Sequence, residues 1–117
     1  MKRLVTLALL AVVAVPAHGQ ERAPLTLDQR MSLRCSAAFA LVAHGQEAGN
    51  AEALAFPALG TAAREYFVRA AAQVMDEAGL DEAAIRAELA AEAQDMVDKG
   101  TVGAVMEVCL PQLGQGG

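Results

Sequence analysis

The chain has 117 residues, nine Lys and Arg against fourteen Asp and Glu, no Trp, one Tyr and three Phe. This length suits one small domain with a single modest core. The net charge of −5, with no Lys/Arg cluster, excludes the usual electrostatic basis for binding nucleic acid or an anionic membrane surface.

Residues 1–19, "MKRLVTLALLAVVAVPAHG", read as a secretory signal peptide: Lys2 and Arg3, a twelve-residue apolar run from Leu4 to Val15 broken only by Thr6, then Pro16 and the small residues Ala17 and Gly19 before a cleavage point. The run is short for a transmembrane helix, which needs roughly 17–25 residues, so no stable membrane anchor is expected after cleavage. Cleavage leaves 98 residues with seven basic and fourteen acidic side chains. Periplasmic or secreted localisation follows as an expectation.

Residues 20–25 read as a lead-in, and a helical domain is expected over 26–113. Thr26–Gln29, "TLDQ", has the form of a capping box, opening a helix to about His44 or Gln46. Leu27, Met31, Cys35, Ala38, Phe39 and Val42 share one face of it. Ala51–Ala55 can form one turn before Pro57, with Phe56 and Leu59 pinned on the core. A third helix spans 61–79, capped by Thr61 and closed by Gly79, with Ala63, Phe67, Ala70, Val74 and Ala78 as its apolar stripe. Asp81 caps a fourth, with Ile85, Leu89, Ala93 and Met96 on one face and Glu82–Arg86 paired at i,i+4. Gly100 ends it. A last short helix from about Val102 to Leu110 presents Val105, Met106, Cys109 and Leu110, and Pro111 stops it. Residues 114–117, "GQGG", read as a flexible tail.

No segment alternates with period two, and 23 of the 98 residues after the signal peptide are alanine, the best helix former. The expected fold is all-α: a small four-helix bundle with a short extra turn. Alanine faces bury little area, so the core stabilises weakly at roughly 25 cal/mol per Å².

Cys35 and Cys109 lie on the apolar faces of the first and last helices. In an exported chain an isolated pair is expected to bond, tying the two helices together. There is no C-x-x-C for redox chemistry and no C-x-x-C-H for haem. His44 is the single histidine after residue 19 and lies about 13 Å along the helix from Cys35, too far to serve it as a base. His44 suits a helix C-terminal partner, Glu88, Glu92 and Asp95 a solvated acidic face, and Met75, Met96 and Met106 the core. No catalytic residue, cofactor or metal site is expected. One cluster has interface-like composition: Arg64, Tyr66 and Arg69, with Tyr66 and Arg69 at i,i+3 beside a run of alanines.

The segments "RCSAAFAL", "REYFVRAAAQVMDE" and "CLPQL" make the chain resemble small exported helical proteins of alphaproteobacteria. That resemblance implies an exported helical fold and brings no functional residue with it. A looser likeness, in length, helicity, acidity and two cysteines, is to the acid-stress periplasmic chaperones, although Cys35 and Cys109 stand wider apart here. The functional expectation is a non-enzymatic periplasmic protein that binds a protein or peptide partner, in envelope stress or as an inhibitor. The alternative is a carrier of a small apolar ligand held between helices.

Overall fold

The computed structural model describes residues 24–114; the predicted signal peptide, most of the lead-in and residues 115–117 lie outside them. Within that span the protein is all-helical: α1 Leu27–Glu47, the single turn α2 Ala51–Leu54, α3 Gly60–Ala78, α4 Glu82–Lys99 and α5 Val102–Cys109, followed by a 3-10 segment Leu110–Gly114.

The ends of these helices follow local chemistry. The Thr26 hydroxyl accepts from the Gln29 amide while the Gln29 side chain accepts from the Thr26 amide, completing the capping box. Asn50 caps α2 and Asp81 caps α4 through their side-chain oxygens. Gly79 and Gly100 close α3 and α4 in the left-handed region, at φ 66° and 65°, where a Cβ is penalised. Thr61 does not cap α3. The helix begins one residue earlier, and Leu59 occupies the cap position with no side-chain bond. Pro111 does not stop the chain turning. It lacks an amide hydrogen and ends the α-helical ladder, and the backbone continues as 3-10 through Gly114.

α1 is the centre of the molecule. Residues 35–39 are all buried, which a helix can manage only when neighbours cover most of its circumference. It packs against α3 and α4 on its flanks, against α2 at its C-terminal end and against α5, whereas α3 and α4 meet each other little. The principal core joins Phe39, Val42, Leu59, Met96, Met106 and the cysteine pair. A second, smaller cluster at the α3–α4 turn joins Leu33, Val74, Leu80 and Ile85, with Met75 and Leu25 packed on its edge. Leu25, expected to be unstructured, is therefore partly packed. Leu27, expected on the buried face, is 75% exposed. Packing at that end is set by Leu33, which points about a third of a turn away.

Cys35 and Cys109 are bonded, with Cα atoms 5.4 Å apart. α5 is thereby fixed to the middle of α1.

Candidate functional site

The three interface candidates lie on α3, in different surroundings. Tyr66 is half-buried and meets Phe39 edge-on, ring centroids 5.1 Å apart and planes at 88°. Burial pushes its phenol above the ordinary tyrosine range, opposed by the Ser32 side chain and the charge of Arg69. Its ring thus flanks the core, and only Arg64 and Arg69 stand on the exposed surface. These two arginines share a shallow hollow with Glu65 and Val68, and Val68 is 61% exposed. Arg64 also lines a second hollow, between α3 and α1, floored by Phe39 and Phe67.

Charge pairing distinguishes this face. Arg30, Arg34, Arg86 and Lys99 each lie within 4.0 Å of a carboxylate, while Arg64 and Arg69 form no ion pair among the described residues. Glu82–Arg86 and Asp95–Lys99 close at 2.7 Å. Glu65 and Arg69 have the same i,i+4 spacing and the favourable order, yet stay open. Among the described residues neither Glu65 nor Asp76 forms an ion pair with these arginines.

The acidic stripe of α4 is not the solvated face expected of it. Glu92 is 9% exposed and accepts from Arg34 at 2.9 Å, with Arg30 at 3.6 Å; Arg34 also reaches Asp95 at 3.1 Å. The bond to Glu92 is the main reason the Arg34 guanidinium holds its proton more firmly than usual. Lys99 and then Arg34 hold the Asp95 carboxyl below its ordinary range. Bridges at this depth give geometry rather than much net stability; here they fix how α4 lies along α1. The signal was present in the sequence as Arg30 and Arg34, four residues apart on α1, and Glu92 and Asp95, three apart on α4.

Gln46 also went unrecognised. Its side-chain amide donates to the carbonyls of Ala53 at 3.0 Å, Phe56 at 3.3 Å and Pro57 at 3.0 Å, and its carbonyl accepts from the Leu59 amide at 3.3 Å. One side chain thus fastens the crossing from α2 to α3 onto the end of α1. Gly45 lets α2 approach: a Cβ there would lie 2.7 Å from the Ala53 Cβ. Beside that contact opens an apolar groove of about 510 Å³ between α1, α2 and the α4–α5 turn, lined by Leu41, Phe56, Val97 and Val102.

His44 is exposed in the last turn of α1. Met96 and Met106 are fully buried and Met75 half-buried. Among the described residues no three His, Cys, Asp or Glu side chains converge as metal ligands, and no helix is long and apolar enough to cross a membrane. Comparison with protein-family models, with curated proteins and with solved structures finds no match.

Proposed function

We propose that the chain is a non-enzymatic, exported helical protein that binds a protein or peptide partner on the α1–α3 face, in the periplasm or outside the cell. The observation that carries this reading is the pair Arg64 and Arg69, the two described cations without a carboxylate partner, set on either side of exposed Val68. Arginine beside apolar surface is the composition of interface cores. The signal-like sequence of residues 1–19 and the bonded cysteines support an oxidising compartment. The resemblance to exported alphaproteobacterial proteins agrees with it. A role in envelope stress or as an inhibitor fits a small, acidic, disulfide-tied binder.

The test is capture from envelope extract with the disulfide-bonded protein and with the Arg64→Glu/Arg69→Glu variant, whose helicity is checked by circular dichroism. A protein retained by the first and lost by the second supports the reading. Identical retention by both, or retention by neither, refutes it.

The apolar groove beside Gly45 favours the second reading, a carrier of a small apolar ligand. Native mass spectrometry of the protein isolated from its own compartment distinguishes the two: a bound mass, lost when Val102→Trp fills the groove, supports the carrier.

A further inference from the structure

Arg34 locks α4 to α1 through Glu92 and Asp95, and Gln46 fastens the α2–α3 crossing. Residues 102–114, comprising α5 and the 3-10 segment, have no such fastening. Among the described residues no side-chain hydrogen bond or ion pair joins them to another element. α5 rests on α1, and the 3-10 segment reaches α3. Two things hold them there: apolar packing, through Met106 and Cys109 with Val102, Val105, Leu110 and Leu113, and the bond to Cys35.

The junction with α4 is weakly built. Gly100 ends α4 at φ 65°. Thr101 occupies the cap position of α5 without capping it, and its hydroxyl oxygen is buried with no hydrogen-bond partner among the described residues. Desolvating an oxygen without a partner is unfavourable, and opening the junction to water relieves it. The remainder of the molecule has supports of its own. The cluster of Leu33, Val74, Leu80 and Ile85 contains no residue of 102–114, and neither does the Arg34 network.

We propose that residues 102–114 are a redox-released strap: when a dithiol reductant breaks the Cys35–Cys109 bond, they leave α1 together while α1–α4 stay packed. One thiolate of the dithiol attacks a sulfur of the bond, and its second thiol resolves the mixed disulfide. The reductant departs as its own disulfide. Two electrons and two protons pass to the protein, leaving Cys35 and Cys109 as thiols. A helix of eight residues does not persist alone in water, so the released strap unravels. Its departure uncovers Val42 and Met96, 3% and 0% exposed in the bonded form. It also removes Val102 and Gly103 from the wall of the apolar groove beside Gly45. The inference goes beyond partner binding on the α1–α3 face and does not depend on it.

Hydrogen exchange read by mass spectrometry tests it on the intact chain at neutral pH, bonded and after reduction with dithiothreitol. Reduction should speed exchange in peptides covering 102–114 by about 10-fold or more, while peptides within α3 and α4 change by less than about 2-fold. Gly103→Ala supplies the second reading. An added Cβ there meets nothing within 4 Å, so the substitution strengthens the helix of the strap alone. In the reduced protein it should slow exchange of 102–114 by about 3- to 5-fold, the worth of one Gly-to-Ala change in a helix, and leave α3 and α4 unaltered. Acceleration spread evenly over all helices on reduction overturns the inference, because the bond would then support the whole fold. So does no acceleration in 102–114, or a Gly103→Ala effect that is absent or equal in every helix.

Discussion

Replacing Cys35 and Cys109 together by alanine removes the one covalent link between α1 and α5. The cysteines are 74 residues apart. Closing a loop of that size removes roughly 4.5 kcal/mol of denatured-state entropy in the chain-entropy model. The sulfurs are also core atoms, the residues being 3% and 0% exposed, and losing them adds about 1 kcal/mol each in packing. The sum, about 6–7 kcal/mol, matches the entire stability of many small domains. Urea unfolding followed by far-ultraviolet circular dichroism reads it directly. With a slope of about 1–3 kcal/mol per molar, the midpoint should fall by about 2 M or more, and the variant should be partly unfolded in water. Reduction of the unmutated protein should reproduce the larger, entropic share without the packing loss. A midpoint shift below about 0.5 M in both experiments would refute the reasoning, because the alanine-rich core would then be sufficient without the link.

Gly45→Ala should destabilise by about 1–2 kcal/mol, overpacking against Ala53 outweighing the gain in helix propensity. Adding Ala53→Gly should recover part of that loss, and a double-mutant cycle in urea measures the coupling. Glu92→Gln leaves Arg34 half-buried with one charged partner fewer and should cost about 1–3 kcal/mol, with faster amide exchange along α4. Asp95 has its carboxyl held below the ordinary value, so the folded state binds its proton less readily than the unfolded chain. Its contribution is complete above the unfolded value of roughly 3.9 and is lost as pH falls through the lower, folded value. Asp95→Asn should therefore flatten the acid limb of a stability–pH curve and leave it unchanged at neutral pH in shape.

Helix ends were readable because each depends on one or two residues: the Thr26–Gln29 box, Asp81, Gly79 and Gly100 all act as their chemistry requires. So did the face of α1 carrying Cys35, Ala38, Phe39 and Val42, and the cysteine pairing. What escaped needed knowledge of a second element. Glu92 looks like any surface acid until Arg34 is brought opposite it. Leu27 fits the α1 stripe by spacing, but among the described residues it is left largely exposed. Thr61 is a sound cap by composition, overridden because Gln46 ties down residues 53–59 and delivers Leu59 to the core. On α3, the composition of Arg64, Tyr66 and Arg69 was visible, but a one-dimensional pattern cannot reveal that Tyr66 turns inward onto Phe39 while the arginines stay open.

The cysteine bond makes residues 35–109 a closed ring that contains α2, α3 and α4 whole. A single backbone cut anywhere inside that ring, by any protease, leaves both pieces joined through sulfur. Damage that would split a linear chain of this size into separate fragments becomes, here, a nick in one surviving molecule.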